Sequence, residues 1–393
     1  MKTYGIIAEY NPFHNGHKYL IDKAKEMGAT HTVAVMSGNF VQRGEPALFN
    51  TAARVNATLD GGVDLVLQLP LPYAISGAQN FARGGVEVLN GTGVIDKLIF
   101  GTEGADKQKL SELSDFIILG ALDDEIKAQL QQGITYAKAR ENAIVSFKPH
   151  LADLVATPNN TLAFEYVNSI KKSGSNMDFE GICRIGAGHD SDKLSGCFAS
   201  ASQLRKMIIA GESIKNYVPD CSIYADLPVF NTVAFNKYET AILYKMRTVT
   251  AEEIALAPDV SEGIENRIKA AAESAVTLEE LYSLAKTKRY THARIRRIVL
   301  STFLGLTAEM AAKPVPYIRV LGFNQRGAEL LREIKKSATL PLVTKASDVA
   351  DLSPDAKEMF ALECRATDIY NLLSETPLPA GEEKKFVVLR SDN

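Results

Sequence analysis

Short apolar segments alternate with amphipathic segments through the first hundred residues, and this alternation restricts the fold more than any other feature of the chain. The apolar, β-favouring segments are 3–10, 31–36, 64–69 and 97–100. The segments between them, 16–27, 47–59 and 79–89, carry apolar residues at helical spacing. Strands separated by helices indicate βαβ units and a parallel sheet covered on both faces. We therefore predict an α/β fold with a Rossmann-like, doubly wound parallel sheet.

The alternation fades in the second half of the chain. A fifth strand is predicted at 181–185 and a helix at 200–209, after helical spacing through 111–147 and 158–170. Beyond residue 210 helical patterns dominate, at 250–284 and 294–306. A chain of 393 residues holds about two or three domains. We predict an α/β catalytic domain over 1–220 and a mainly α-helical C-terminal domain over 221–393.

Composition excludes several classes of protein. Hydrophobic residues make up 46% of the chain and charged residues 23%, which provides for a packed core and argues against general disorder. The first residues lack the pattern of a signal peptide, and no apolar run reaches the length of about 18 residues that a membrane span needs. We expect a cytoplasmic protein without membrane association. Cys183, Cys197, Cys221 and Cys364 form no CxxC pair, so we expect reduced, mostly buried thiols and no metal site.

The most informative segment is NPFHNGH, which occupies residues 11–17 directly after the first predicted strand. It leads into a predicted helix, and a helix N-terminus favours anions because its N–H groups are unpaired. His14 and His17 are three residues apart and so face one ligand, and Gly16 lets a phosphate approach the backbone. We predict that both histidines donate hydrogen bonds to phosphate oxygens as charge develops in a transition state. Metal binding or capping is the alternative for such a pair, but no third metal ligand is signalled.

Two motifs resemble those of the nucleotidyltransferase superfamily with the HxGH signature, whose fold is of the HUP type. In that superfamily the histidines stabilise the reacting α-phosphate and the departing pyrophosphate. The later segment SASQLR, at residues 200–205, is similar to the superfamily motif SSTxxR, although by itself it is a common helix start. The resemblance implies that Ser200 and Ser202 contact the triphosphate, with Ser202 in place of the usual threonine. It also implies that His14, His17 and Arg205 are catalytic.

A closer resemblance rests on several long strings in the same order. These strings are GIIAEYNPFHNGH, SGNFVQRGEPA, LPLPYAISGAQNFARGGV, FGTE, PNN and RIGAGHD. Together they resemble the tRNA(Met) cytidine acetate ligase family, closely as far as Arg205 and by general layout beyond it. The resemblance implies a ligase that uses ATP, with Mg²⁺, to activate acetate as acetyladenylate. It then transfers the acetyl group to N4 of the wobble cytidine, C34, of elongator tRNA(Met), forming N4-acetylcytidine.

The family resemblance also implies which residues bind ATP. They are Ile7, Ala8, Glu9, Tyr10, Asn11, Pro12, Phe13, His14, Asn15, Gly16, His17, Lys18, Leu20, Gly101, Asn159, Asn160, Arg184, Ser200 and Ser202. Alternatives remain open for some of them: Gly101 as a simple turn residue, Asn160 as a helix cap, and Arg184 as an exposed residue of an edge strand. The two asparagines can also divide these roles. The chain has Gly188-His189 where relatives often insert a tyrosine. Arg43, in the loop after the second strand, is a further candidate, and no residues are assigned to acetate.

The net charge of −3 argues against a nucleic-acid partner, but a total can hide a local basic patch. Several cations lie within twelve residues that contain no acid, namely Lys286, Lys288, Arg289, Arg294, Arg296 and Arg297. Such a segment binds phosphates independently of sequence, and Tyr290 within it is predicted to stack on an anticodon base. We predict tRNA binding by Lys286, Lys288, Arg289, Arg294 and Arg297. The alternative is a solvated basic helix.

Two other functions are compatible with parts of this pattern. A small-metabolite adenylyltransferase shares the HxGH signature, but it does not need a basic helical C-terminal region of this size. A non-catalytic tRNA-binding protein is a second alternative, and the intact His14 and His17 argue against it. The sequence leaves the oligomeric state and the tRNA identity determinants open.

Overall fold

The computed structural model describes residues 1–104, 106–185, 196–220, 224, 229–287, 289–386 and 388–391. Its strands are β1 (Thr3–Ala8), β2 (His31–Ser37), β3 (Phe40–Val41), β4 (Glu45–Pro46), β5 (Leu65–Leu69), β6 (Lys97–Thr102), β7 (Asp178–Cys183), β8 (Ile318–Phe323), β9 (Leu342–Val343) and β10 (Leu389–Arg390). Eight of them form one sheet in the order β10-β8-β5-β2-β1-β6-β7, with β9 paired to β8, while β3 and β4 form a separate hairpin.

Helices cover most of the remaining chain. They are α1 (Asn15–Glu26), α2 (Thr51–Asp60), α3 (Leu71–Ala74), α4 (Ala78–Thr92), α5 (Lys107–Ile118), α6 (Asp123–Gln131), α7 (Tyr136–Phe147), α8 (Asp153–Ala156), α9 (Pro158–Lys172), α10 (Ala201–Ile209), α11 (Thr232–Thr248), α12 (Ala251–Ala255), α13 (Ile264–Ser274), α14 (Leu278–Ala285), α15 (His292–Leu304), α16 (Ala308–Ala312), α17 (Gln325–Ser337), α18 (Pro354–Leu373) and α19 (Glu382–Lys385). Short 3₁₀ helices occupy Pro149–Leu151 and Ala346–Asp351. None of these described helices has the length and apolar character that a bilayer span requires.

The five strands β5, β2, β1, β6 and β7 confirm the predicted doubly wound parallel sheet. The chain begins in the middle with β1, adds β2 and β5 on one side, and then crosses to β6 and β7 on the other side. All four pairings among these strands are parallel. The direction of strand addition therefore reverses between β1 and β6, and such a switch point opens a crevice at the carboxyl ends of the strands.

Helices bury both faces of this sheet because side chains of successive strand residues point to opposite sides. On one side, Ile7 of β1 belongs to the apolar cluster that contains Phe81 of α4 and Phe164 of α9. On the other side, Ile6 belongs to the cluster that contains Ile21 of α1 and the apolar residues of α2. This double coverage explains why the strands are nearly continuous apolar runs in the sequence.

The C-terminal half contributes strands that the sequence analysis missed. β8 pairs antiparallel with β5, with Leu65 opposite Phe323, and β10 pairs with β8. An antiparallel strand at the edge of a parallel sheet is common in α/β proteins. The described residues beyond 220 are otherwise mainly helical, and α11–α15 build a helical core around residues such as Tyr238, Ile268 and Ile298.

α18 ties this helical core to the sheet. Met359 and Phe360 pack into the apolar cluster on the sheet, whereas Leu362 and Tyr370 pack into the helical cluster. Three of the cysteines lie in the described residues, and the expectation of mostly buried thiols is wrong for two of them. Cys364 is buried, but Cys183 and Cys197 are exposed.

Candidate active site

A deep cleft opens at the switch point between β1 and β6; we call it the active-site cleft. The predicted residues that line it are Ile7, Ala8, Glu9, Tyr10, Asn11, His14, Gly16, His17, Leu20, Gly101, Asn159, Arg184, Ser200, Ser202 and Arg205, and Arg43 lines it as well. These residues come from the loop after β1, the start of α1, the ends of β6 and β7, and the start of α10. The topology thus brings together segments that are far apart in the sequence.

Five predicted ATP-binding residues are not part of this lining. Pro12 and Phe13 are buried in the loop, where Phe13 packs against Gly61. The side-chain amide of Asn15 donates to the carbonyl oxygens of Cys197 and Asn216, at 2.9 and 3.1 Å. The two others are Lys18, which pairs with Asp22, and Asn160.

The two histidines are held by reciprocal hydrogen bonds at the start of α1. His14 is the N-cap residue, and its Nδ1 accepts a hydrogen bond from the Gly16 N–H at 3.0 Å. Nδ1 of His17 accepts from the His14 N–H at 3.2 Å, and the two rings stack with centroids 3.7 Å apart. A Cβ at Gly16 would lie 2.9 Å from the His14 ring, so this packing needs glycine. Because each Nδ1 accepts, the ring proton of each neutral histidine is on Nε2.

The electrostatic surroundings keep both imidazoles neutral. Burial lowers the pKa of His14 to about 3, and the positive charges of Arg184 and Arg205 act in the same direction. Burial also places the pKa of His17 well below its ordinary value, with further contributions from His14 and Arg184. At neutral pH each ring therefore offers one Nε2–H donor without carrying a charge, which suits stabilisation of developing negative charge.

Arg205 and the start of α10 form the cationic side of the cleft. The Ser200 side chain caps α10 by accepting a hydrogen bond from the Gln203 N–H at 3.1 Å. Nη1 of Arg205 donates to the backbone carbonyl of Asn11 at 3.0 Å, and its Nη2 lies 3.5 Å from Oε1 of Glu45. The guanidinium thus links α10 to the loop after β1 and also faces the cleft.

The two adjacent asparagines occupy different surroundings. Asn159 lines the cleft, where its Oδ1 lies 3.4 Å from Nη1 of Arg184. Asn160 is buried behind it, accepting from the Glu103 N–H at 2.8 Å and donating to the Asp153 carbonyl at 3.1 Å. The cleft therefore favours Asn159 over Asn160 for ligand contact. Residues 186–195, which include Gly188 and His189, lie outside the described residues.

Arg54 of α2 is a buried residue that the sequence analysis missed. Its guanidinium donates to three backbone carbonyls, those of Phe49 at 3.1 Å, Glu9 at 2.6 Å and Gly38. Burial lowers its pKa to about 10, so it stays charged at neutral pH. It fixes the loops that follow β1 and β2. The only available signal was a charged residue between the apolar Ala53 and Val55 in a predicted helix that packs on the sheet.

The hairpin of β3 and β4 connects the cleft to α15. Gln42 lines the cleft, and its N–H donates to Oε1 of Glu9 at 2.6 Å. Gly44 has φ = 77°, and a Cβ there would lie 2.8 Å from the backbone of Arg296 and Arg297. The rim of the cleft and the predicted tRNA-binding helix are therefore in direct backbone contact.

The cations of the predicted basic segment are partly engaged by contacts from elsewhere in the fold, and two of these contacts are ion pairs. Arg294 donates to the Asp259 carbonyl at 2.9 and 2.7 Å, and Nε of Arg297 lies 3.3 Å from the Asp259 carboxylate. Arg289 lies 3.5 Å from Oε2 of Glu262. Lys286 is exposed, and Lys288 lies outside the described residues.

The predicted stacking of Tyr290 on a base is wrong. Tyr290 is only 6% exposed, and its hydroxyl donates to the carbonyl oxygens of Ser261 and Glu262, at 3.1 and 3.2 Å. Local sequence spacing does not reveal such burial because the covering residues come from the loop before α13.

Three comparisons with known proteins, by family, by sequence and by structure, each find relatives that match nearly the whole chain. Residues 1–385 match the family described as HIGH Nucleotidyl Transferase. The tRNA(Met) cytidine acetate ligase of Thermoanaerobacter sp. (strain X514) is 40% identical, over 97% of this chain and 98% of its own length. The protein of that name from Acetivibrio thermocellus is 36% identical over 98% of each chain.

Solved structures of Thermotoga maritima TmcAL resemble the whole chain. The apo form superposes with a TM-score of 0.91, and the form bound with alpha-thio ATP superposes with a TM-score of 0.88. Each is 30% identical and covers 100% of both chains.

Proposed function

Because the chain belongs to the tRNA(Met) cytidine acetate ligase family, we propose that it activates acetate with ATP and acetylates N4 of the wobble cytidine, C34, of elongator tRNA(Met). The observation that carries this proposal is the neutral pair His14 and His17 at the N-terminus of α1, facing Arg184 and Arg205 across the cleft. We place the reaction in the cytoplasm, where tRNA is modified.

ATP binds in the active-site cleft in this proposal. Its triphosphate lies between the start of α1 and the start of α10, where helix N–H groups and Arg205 meet negative charge. Gly101 leaves room at the end of β6, since a Cβ there would approach Arg184 to 3.3 Å. Asn159 and Arg184 then contact the nucleotide beside β7. Support comes from the convergence of these residues on one cleft.

The first step forms acetyladenylate. An acetate oxygen attacks the α-phosphorus, an O–P bond forms, and the bond to pyrophosphate breaks. Nε2–H donors of His14 and His17 stabilise the charge that develops on the phosphate oxygens, and Arg205 stabilises the departing pyrophosphate. The protein contributes mainly position and electrostatics, as is typical of phosphoryl and nucleotidyl transfer.

Mg²⁺ enters this scheme together with ATP. In the part of the chain that the structure describes, no three His, Cys, Asp or Glu side chains are grouped to hold a metal ion. Mg²⁺ commonly keeps several waters and binds through substrate phosphates rather than through a protein cage. The site therefore fits a metal ion that neutralises the phosphates, and the residues named above bind the ATP that carries it.

The second step transfers the acetyl group. N4 of the cytidine attacks the acetyl carbon, the C–O bond to AMP breaks, and N4 loses a proton. The wobble base lies in a loop, so its presentation costs less than flipping a base from a duplex. We propose that residues 1–220 carry out the chemistry, and that 221–393 bind tRNA through Lys286, Lys288, Arg289, Arg294 and Arg297. Contact between α15 and Gly44 brings that surface to the rim of the cleft.

The direct test is an incubation with ATP, labelled acetate and tRNA(Met), followed by analysis of the nucleosides. We expect label in N4-acetylcytidine and release of AMP and pyrophosphate. If labelled acetate leaves cytidine unlabelled, the proposal is wrong. AMP joined to the phosphate of a small metabolite would instead indicate the alternative adenylyltransferase.

A pair of variants tests the division of labour. His17→Ala is expected to abolish acetate-dependent exchange of pyrophosphate into ATP. Arg294→Ala combined with Arg297→Ala is expected to retain exchange and to weaken tRNA use, with a shallower dependence on salt. Equal loss of exchange in both would contradict the division proposed here.

The matched control removes two cations elsewhere, through Lys335→Ala and Lys336→Ala near the end of α17. Ser337 beside them donates to the Thr92 carbonyl at 2.9 Å, shortly before β6 begins. This end of α17 therefore lies at the amino ends of the parallel strands, opposite the cleft. We expect tRNA use by the control to remain at the level of the unaltered protein.

A further inference from the structure

Two buried hydrogen-bond donors at the active-site cleft have no partner among the described residues. They are the hydroxyl of Tyr10 and the side-chain amide nitrogen of Asn11. Tyr10 is 1% exposed and Asn11 is 2% exposed, and both line the cleft. A buried donor without a partner is costly, so such a group in a native fold calls for an explanation.

The surrounding contacts hold both donors in place. Oδ1 of Asn11 accepts from the Leu48 N–H at 2.8 Å, which leaves the NH₂ group of the same amide directed away from Leu48. Arg205 donates to the backbone carbonyl of Asn11 at 3.0 Å. Tyr10 has a left-handed backbone, with φ = 49°, and its ring packs edge-on against His17 with centroids 4.8 Å apart. Strain of this kind in a non-glycine residue is concentrated at functional sites.

The chemistry of the pair fits a small carboxylate. Two neutral donors on adjacent residues match the two oxygens of one carboxylate group. The same cleft is lined by the apolar side chains of Phe81, Phe100 and Leu162, which suit a methyl group. Multiply charged phosphates, by contrast, are suited by the N-termini of α1 and α10 and by Arg184 and Arg205, which line the same cleft.

We infer that Tyr10 and Asn11 form the acetate subsite, in which the hydroxyl and the amide donate to the acetate carboxylate and hold one of its oxygens toward the α-phosphorus. This inference rests on the proposed function and adds the residues that select its carboxylate substrate. Contact between the Tyr10 ring and His17 places the subsite next to the phosphate-stabilising histidines. Tyr166 lines the same cleft, and its hydroxyl donates to the Ile7 carbonyl oxygen at 3.5 Å.

Acetate-dependent exchange of pyrophosphate into ATP tests the inference, measured with and without tRNA(Met). Tyr10→Phe removes only the hydroxyl, and we expect KM for acetate to rise about tenfold, as loss of one buried hydrogen bond implies. KM for ATP should rise less than KM for acetate, because the hydroxyl that is removed is the one assigned to acetate. Asn11→Asp keeps the acceptor for Leu48 and replaces the donor by a charge that repels acetate, so KM for acetate should rise more than in Tyr10→Phe.

Tyr238→Phe is the matched control. Tyr238 is 2% exposed, its hydroxyl also lacks a partner among the described residues, and it lies in the helical core. Both phenylalanine variants should keep or raise Tm because each removes an unpaired buried hydroxyl. Only Tyr10→Phe should raise KM for acetate, which separates substrate binding from a structural effect.

Two results overturn the inference in distinguishable ways. If Tyr10→Phe leaves KM for acetate unchanged, or raises KM for ATP equally, the donors do not form an acetate subsite, although the proposed function stands. If the unaltered protein shows no acetate-dependent exchange under either condition, the proposed function itself fails and the subsite fails with it.

Discussion

His14 caps α1 with the same ring that faces the cleft, so one residue combines a structural role with the chemical role proposed above. Its Nδ1 satisfies the Gly16 N–H, and its Nε2–H remains available to substrate. The neutral state of the ring is an effect of burial and of the two nearby arginines. These roles separate in a substitution that keeps the cap and removes the ring.

His14→Asn is that substitution, because asparagine is among the best N-cap residues. We expect adenylation to fall by about 10²–10³-fold through loss of an electrostatic donor. At pH 7 the free energy of unfolding should change by less than about 1 kcal/mol, since the cap is retained. His150→Asn makes the same change at an exposed position outside the cleft and should retain exchange. Exchange retained by His14→Asn would contradict the catalytic role.

The pH dependence of stability has a definite sign. The pKa of His14 is about 3 in the fold and 6.5 without it, so between these values the unfolded chain binds more protons. Stability from the neutral ring is present above about pH 6.5 and is lost as the pH falls toward 3. Between these pH values, the free energy of unfolding falls by about 1.4 kcal/mol per pH unit for each such histidine. We expect denaturant unfolding at pH 6, 5 and 4 to show that the free energy of unfolding falls less steeply with pH in His14→Asn than in the unaltered protein. An equally steep fall in both would be inconsistent with the lowered pKa of His14.

Residue-level prediction from sequence succeeded where the signal is contiguous. His14, Gly16 and His17 form one short motif after an apolar strand, so their placement at a helix start could be predicted. Arg54 could not be assigned from sequence, since its carbonyl partners lie in loops fixed by the tertiary fold. Burial of Tyr290 was likewise invisible, because it depends on residues 261–262.

At the scale of elements, the β3–β4 hairpin connects the active-site cleft to α15, which carries part of the predicted tRNA-binding surface. Gly44 in this hairpin has positive φ and touches the backbone of α15. Gly44→Ala should therefore destabilise the fold through both strain and displacement of the helix. We expect acetyl transfer to tRNA to fall more than pyrophosphate exchange, because the contact with α15 is the part that moves.

Gly211→Ala is the control for backbone strain alone. Gly211 has φ = 73° and nothing within 4 Å of an added Cβ. The substitution should therefore lower the free energy of unfolding by about 1–2 kcal/mol through backbone strain alone. Denaturant unfolding should show a larger decrease in the free energy of unfolding for Gly44→Ala than for Gly211→Ala. Equal losses would mean that the contact between the hairpin and α15 contributes nothing.

Elements with strong local patterns were predicted well, and the exceptions have physical reasons. The predicted helix 47–59 begins instead at Thr51, where Asn50 provides the cap. The predicted helical stretch 111–147 divides at Gly120 and Gly133, which adopt positive φ. β8 was missed because a single apolar strand among helices gives no βαβ pattern, and its pairing partner β5 is more than 240 residues earlier in the sequence.

At the scale of the whole molecule, the two proposed functional regions share one framework. β8 and β10 extend the sheet, and α18 packs against both the sheet and the helical core. A fragment of residues 1–220 would lose the partner of β5 and expose its apolar neighbours to water. We expect this fragment to lack a cooperative thermal transition by circular dichroism, unlike the full chain. A soluble fragment with a cooperative transition would show that the catalytic region folds independently.

The most direct test of the account follows the oxygen atoms of acetate. Acetylation of tRNA(Met) with ¹⁸O-labelled acetate and ATP is followed by mass spectrometry of the AMP and pyrophosphate. Attack of acetate on the α-phosphorus, followed by cleavage of the C–O bond, leaves one acetate oxygen on AMP. We therefore predict one ¹⁸O in each AMP formed with N4-acetylcytidine and none in pyrophosphate. AMP without ¹⁸O would contradict acetyladenylate formation in this cleft.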